Sequence, residues 1–156
     1  DAATAVNRLV DMGVEPFLVA SSISGIMAQR LLRRLCKTCK EEFQPVPADL
    51  LEVGIDPADL HGAVYRPKDG GCPDCLLTGY RGRTGIYELL MISDRIRSMV
   101  VQNLSSSEIR KQAVKEGMTT LRMDGASKFL QGLTSLEEVI RITQEGATAL
   151  EDAAVA

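Results

Sequence analysis

All four cysteines of the chain fall into two thiol clips, Cys36-Lys37-Thr38-Cys39 and Cys72-Pro73-Asp74-Cys75. Two thiolates separated by two residues bend onto one tetrahedral ion, and two such clips complete an all-sulfur shell. Thirty-two residues lie between the clips. That is longer than the interval of a compact zinc ribbon, so a small excursion must fold back to bring the clips together. The pattern reads as a structural zinc site with Cys36, Cys39, Cys72 and Cys75 as ligands. Four unrelated core cysteines would rarely sort into matched C-x-x-C pairs. A catalytic thiol at Cys36 or Cys72 fits poorly, because a zinc-bound thiolate is occupied and the second clip would be left unexplained.

Little else in the chain has the residue types for chemistry. His61 is the only histidine; with four thiolates closing the shell, it reads as a surface residue rather than a further ligand. No Ser/His/Asp or Cys/His constellation is supported. No G-x-x-x-x-G-K-[ST] run occurs, so this chain alone has no P-loop cradle for nucleotide phosphates. Gly70-Gly71 is better explained as the tight turn presenting Cys72. Basic residues flank the clips: Arg30, Arg33, Arg34, Lys37 and Lys40 on the first side, Arg81 and Arg83 on the second. A zinc–tetrathiolate centre is doubly negative, so such cations stabilise it. The alternative is an acidic partner or a phosphate. The lysines lean to the structural role, and for Arg30, Arg81 and Arg83 the two readings balance.

The elements that must position the clips follow from composition and periodicity. The chain has 156 residues, 45% apolar and 25% charged, with a formal net charge of −3, the profile of a soluble globular protein and not of a general nucleic-acid binder. No apolar run approaches a membrane span and no leader pattern opens the chain. The expected setting is therefore a reducing cytoplasm, which favours metal over disulfide. Asp1, which is not a methionine, caps a helical pattern at once, and the expectation is a piece excised from a longer polypeptide. Ala2, Val6, Leu9 and Val10 have helical spacing up to Gly13. Pro16 opens a second helix, apolar nearly all round, expected to end near Met27 to Gln29 before a strand that leads to Cys36.

Five of the six prolines lie from Pro45 to Pro73, and with a weak apolar periodicity they predict a subdomain held by its metal more than by its core. Within it, Ala48 to Val53 is expected to form a short helix. Thr84 to Met91 reads as a strand re-entering the main domain, which makes the excursion an insertion between adjacent strands. Beyond Ser93 the chain is helical. Ser105 with Glu108 and Ser135 with Glu138 have capping-box spacing, and Leu121, Phe129 and Leu130 are core candidates. The Ala-rich end reads as a frayed tail.

The run A-Q-R-L-x-R-x-L-C-x-x-C (Ala28 to Cys39), the run G-C-P-x-C-x-x-T-G-Y-x-G-R-x-G-I-Y-E (Gly71 to Glu88) and Gly132-Leu133-Thr134-Ser135-Leu136-Glu137-Glu138 together resemble bacterial type II secretion ATPases, specifically their C-terminal part with its tetracysteine zinc insertion. Type IV pilus assembly ATPases, which share the insertion, are close to them; the pilus retraction branch lacks it. The opening D-A-A-T-A-V-N-R-L-V-D-M-G-V-E-P-F is similar to the stretch that follows the family's histidine box, and the resemblance covers about residues 1 to 145.

The resemblance implies an α/β to α+β fragment in three parts. Residues 1–35 and 82–92 would be the distal part of a RecA-like ATPase domain, 36–81 the zinc-binding insertion, and 93–145 a C-terminal helical subdomain, with 146–156 as the tail. It implies a cytoplasmic homo-hexameric motor, peripheral on the cytoplasmic face of the inner membrane. The motor would work with inner-membrane platform proteins and couple ATP hydrolysis to pseudopilus or pilus extension. The family's nucleotide motifs lie upstream of Asp1, so no catalytic or nucleotide-binding residue is carried over. ATP and Mg²⁺ belong to the full-length parent, and this chain alone is expected to be inactive. The metal ligands Cys36, Cys39, Cys72 and Cys75 carry over one by one.

Two rivals remain. A non-catalytic zinc module for protein or nucleic-acid binding predicts steeply salt-dependent nucleic-acid binding, against which the acidic total counts. A C-x-x-C dithiol oxidoreductase needs a low-pKa thiol opening a helix in a thioredoxin-like pattern, and that pattern is not seen. If the zinc fixes a loop-rich protrusion, replacing one ligand should unfold 36–80 and leave the helices after Ser93 largely folded.

Overall fold

The structure, a computed structural model, describes residues 1–144; the tail expected over 146–156 lies outside them. Among the described residues the chain is mixed α/β, with seven α-helices and two two-stranded sheets. In order these are α1 (Ala2–Asp11), α2 (Pro16–Ser22), β1 (Gly25–Leu35), β2 (Glu41–Phe43), α3 (Pro47–Glu52), β3 (Val64–Arg66), β4 (Tyr80–Met91), α4 (Asp94–Val101), α5 (Ser106–Lys115), α6 (Leu121–Leu130) and α7 (Leu136–Gln144). Single 3-10 turns span Pro57–Asp59 and Pro73–Cys75. The contacts divide the chain into two compact units, Asp1–Gln29 with Tyr87–Leu121, and Arg30–Ile86 with the chain from Arg122 onward.

The first unit is built on short amphipathic helices. The Asp1 carboxylate accepts the Thr4 N–H at 2.8 Å, satisfying one of the orphan donors that every helix start leaves open. Ala2, Ala3 and Val6 of α1 pack with Val19 and Ala20 of α2, Ile96 and Val100 of α4, and Ile109 and Ala113 of α5 in one buried cluster with Leu90 and Ile92. The capping box at α5 is complete: Ser105 Oγ accepts the Glu108 N–H at 3.3 Å and Glu108 accepts the Ser105 N–H at 3.0 Å. Arg97 donates to the Ala20 carbonyl near the end of α2.

Helix α2 stops at Ser22, earlier than the apolar pattern predicts, and Ile23 is already extended. The residues counted as a helix apolar all round belong partly to a strand. Ile26 and Ala28 turn inward while Met27 is exposed, the two-residue alternation of β1. Strand β4 likewise begins at Tyr80, ahead of the expected Thr84. The Ile92 N–H bonds the Ser24 carbonyl at 3.0 Å and the Cys36 N–H bonds the Gly79 carbonyl at 2.9 Å. The start of β1 thus lies beside the end of β4 and the reverse, the antiparallel pattern.

The second unit holds both clips and the last two helices. Strands β2 and β3 pair antiparallel with Glu41 opposite Arg66 and Phe43 opposite Val64. The stretch between the clips is better packed than its weak periodicity predicts, because Leu50, Val53, Ile55 and Val64 are all buried. Those four side chains come from a six-residue helix, the short connection that follows it and a three-residue strand. Each element is too short to show a period, so the sequence signal is lost although the core exists. Phe129 of α6 is fully buried, whereas Leu130, also expected in the core, is 43% exposed.

Glu88, which has no singular signal in the sequence, is 1% exposed in the first unit. Its carboxylate accepts the Ala2 N–H at 2.9 Å and the Leu121 N–H at 3.3 Å, the first turns of α1 and α6. A buried carboxylate is tolerated where helix N-termini supply donors and dipole. Glu88→Ala strands both donors, so a urea titration should show a loss of about 3 kcal/mol; an unchanged midpoint would mean that both N–H groups find other partners.

Candidate metal centre

Each clip sits where a long strand ends or begins. Leu35 closes β1 immediately before Cys36, and the turn Pro73–Cys75 delivers Cys72 and Cys75 five residues before β4 starts at Tyr80. The Cys36–Gly79 backbone bond brings the two clips alongside each other. The four Sγ atoms lie within 4.8 Å of one another. Three separations are 3.8 Å for Cys36–Cys72, 3.9 Å for Cys39–Cys75 and 3.7 Å for Cys72–Cys75. A tetrahedron of sulfurs about 2.3 Å from a central zinc has edges of about 3.8 Å. These distances fit a metal shell, and they are far too long for disulfides. His61 is exposed and does not join the group.

The backbone prepares the thiols unequally. Cys75 is buried, and burial alone would push its thiol up. The N–H groups of Cys72, at 3.1 Å, and Gly79, at 3.2 Å, donate to its Sγ and win, holding it down to about 6. Burial opposes ionisation of Cys36 as well, but the N–H groups of Thr38 and Cys39 bring it below the usual thiol range. Cys39 is pushed up to about 12 by burial and by the neighbouring thiols. A divalent ion overrides that reluctance, because coordination deprotonates a thiol outright.

Gly71 sets the second clip at its entrance. It has φ +59°, and a Cβ there would lie 2.4 Å from the Leu77 carbonyl carbon and 2.7 Å from the Gly79 nitrogen. After Cys75 the chain turns through Leu76 and Leu77, both left-handed at φ 53° and 64° and both exposed.

With this geometry in place, comparison with known proteins gives the chain its relatives. The family model described as "Type II/IV secretion system protein" matches residues 1–141. The chain belongs to this family. It is 47% identical over 146 residues to the type IV pilus assembly ATPase PilB of Thermus thermophilus, covering 93% of this chain and 16% of that protein. It is 46% identical over 141 residues to the type II secretion system protein E of Pseudomonas aeruginosa, covering 90% of this chain and 27% of the relative. The type II secretion system protein E of Pectobacterium carotovorum is 47% identical over 142 residues, again 90% of this chain and 27% of the relative. The chain therefore spans about a quarter or less of the length of these relatives.

In this secretion-family chain the basic residues near the clips divide into two groups. Arg34, Lys37 and Arg81 line a shallow pocket with Leu35, Cys36 and Thr38. Arg30 and Arg83 are exposed. Arg33 and Lys40 are committed elsewhere. Arg33 donates to Glu138 through Nε at 3.0 Å and Nη2 at 2.7 Å and lies 4.1 Å over the Tyr80 ring. Lys40 donates to the Gly132 carbonyl at 3.1 Å and lies 3.9 Å over the Tyr65 ring.

The second capping box is only half formed. Ser135 Oγ accepts the Glu138 N–H at 3.2 Å, but the Glu138 carboxylate turns to Arg33 and to Arg141, the latter at 2.9 Å. Sequence reasoning also missed the Thr38–Asp74 hydrogen bond, 2.9 Å, which ties the two clips through their inner positions. Two polar residues one step from a ligand in each clip are the only advance signal of it.

Two outcomes follow from this geometry. Gly71→Ala should weaken zinc binding by about tenfold or more in a competition titration with a chromogenic chelator; unchanged affinity would show that the turn relaxes freely. Burial opposes the charge on Glu138, but the Arg33 side chain and N–H and the Arg141 guanidinium hold its carboxyl below the usual range. A depressed folded value means stability present above about pH 4.3 and lost as pH falls through the native value. Glu138→Gln should cost about 2 kcal/mol at pH 7 and flatten the acid limb of the stability curve in urea titrations.

Proposed function

We propose that this chain is the C-terminal part of a hexameric secretion ATPase, with one structural zinc ion held by Cys36, Cys39, Cys72 and Cys75. The observation that carries the metal assignment is the cluster of four sulfurs within 4.8 Å, three of whose separations, 3.7–3.9 Å, are those expected around a zinc–thiolate centre. An all-thiolate set suits a borderline-soft ion and offers none of the oxygen donors that magnesium or calcium require. The four ligands leave no open coordination position, so the ion's contribution is architectural rather than catalytic. ATP and Mg²⁺ would act in the parent polypeptide, upstream of this stretch.

Support for a larger motor comes from the relatives' names and from the first unit. There Met27, Leu89 and Met91 are exposed at 62%, 50% and 59% on the outward face of β1 and β4. Such a face on a two-stranded sheet suits burial by further polypeptide, as in a RecA-like domain completed upstream. In this proposal residues 36–81 are the zinc insertion and 93–145 the terminal helical part. Among the described residues no helix is long and apolar enough to cross a membrane, in keeping with a proposed peripheral place at the inner membrane beside platform proteins. The Thermus relative's name favours a second reading, type IV pilus assembly, at the same level of identity.

Metal analysis of the purified chain should give about one zinc per chain. Well below one, with normal folding, would remove the metal assignment. The isolated chain should not hydrolyse ATP, whereas the product of its complete gene should; a complete product without that activity ends the motor reading. Deleting the gene should abolish type II export of secreted enzymes, and loss of pili with export intact would select the pilus reading.

A further inference from the structure

The turn between α6 and α7, residues 132–135, is bonded at every position to a residue beside the thiol clips. The Lys40 ammonium, next to Cys39, donates to the Gly132 carbonyl at 3.1 Å while lying 3.9 Å over the Tyr65 ring. The Leu35 N–H, next to Cys36, donates to the Leu133 carbonyl at 2.9 Å. Thr134 is fully buried, and its hydroxyl donates to the Arg33 carbonyl at 2.8 Å. Ser135 Oγ shares a 2.8 Å hydrogen bond with the hydroxyl of Tyr80, the first residue of β4 after the second clip. The next turn of the helix adds Glu138, whose carboxylate accepts both the Arg33 N–H at 3.1 Å and its guanidinium. The fit at Gly132 is close: φ is +66°, and a Cβ there would lie 2.9 Å from the Tyr65 ring and 3.0 Å from Lys40 Nζ.

We propose that occupation of the four-thiol centre and docking of the turn 132–135, with α7 behind it, form one coupled equilibrium, so that the ion latches the C-terminal helix as well as its own loop. The proposal rests on the zinc reading. The coupling has a physical route. The ion fixes the end of β1 against the start of β4; the Arg33, Leu35 and Tyr80 partners of the turn lie on those same two segments, and Lys40 directly follows the first clip. Without the ion the four sulfurs are no longer bonded to one centre, the backbone bonds alone hold the two segments, and the turn is seated less firmly. Linkage is reciprocal, so a turn that docks less well must also lower zinc affinity by the same factor.

The test uses the full chain loaded with zinc, with hydrogen–deuterium exchange and metal quantification before and after removal of zinc by EDTA. Removal should speed exchange across residues 131–141 by about tenfold or more, while α5 in the other compact unit keeps its protection. Thr134→Val, which changes no charge near the sulfurs, should lower zinc affinity by about fivefold in a chelator competition; Thr134→Ser keeps the hydroxyl and should restore it. Zinc that leaves with exchange at 131–141 unchanged overturns the coupling but spares the metal site. So does Thr134→Val with wild-type zinc affinity. Loss of protection in α5 as well would show global unfolding and not a latch. A chain that binds no zinc fails the zinc reading and this inference with it.

Discussion

The arrangement of the second unit depends on one distance requirement. The end of β1 and the start of β4 must approach until four sulfurs cluster within 4.8 Å of one another, with three of the separations at 3.7–3.9 Å. Few backbones meet that condition by side-chain packing alone, since sulfurs in a core have no reason to converge. Here it is met by backbone devices: the Cys36–Gly79 ladder bond, the 3-10 turn carrying Cys72 and Cys75, and N–H groups aimed at Cys75. The same devices stabilise thiolate before any ion arrives, so the protein supplies both the shape and part of the charge state that a divalent metal needs.

Buried carboxylates play a parallel part in the two units. Glu88 holds the starts of two helices through backbone donors, and Glu138 gathers two arginines and a strand N–H. Both are 1% exposed, and a carboxyl group buried to that degree is tolerated only with hydrogen-bond partners for its oxygens. These residues therefore specify where helix ends go rather than adding net energy. Removing either leaves several donors without a partner, which is why a single substitution is costly.

The convergence of the four cysteines was legible from the sequence, because C-x-x-C spacing is a local pattern whose meaning does not depend on the rest of the fold. Helix starts at Asp1, Ser93 and Ser105 were legible for the same reason: a cap and its target lie three residues apart. The end of α2 was not, since Ile23 to Met27 satisfies helical and strand patterns alike until its partner strand is known. The roles of Arg33, Lys40 and Glu138 were also hidden. Their partners lie 92 to 105 positions away, and nothing in a run of basic residues says which will be used inside the protein. The small core between the clips escaped for a third reason, because elements of three to six residues are too short to display a period.

The left-handed leucines that follow Cys75 bear on how firmly the ion is held. Leu76 and Leu77 are exposed and gain little from burial, while a left-handed backbone costs an L-residue roughly 1–2 kcal/mol. If the metal-free loop relaxes, that cost is charged against binding each time an ion enters. Over the two residues the centre would then sit below the ceiling that four thiolates could reach, by a factor on the order of thirty to several hundred. On that condition an ion at this centre would be released more readily than one held by a loop with Gly or Asn at the same two places.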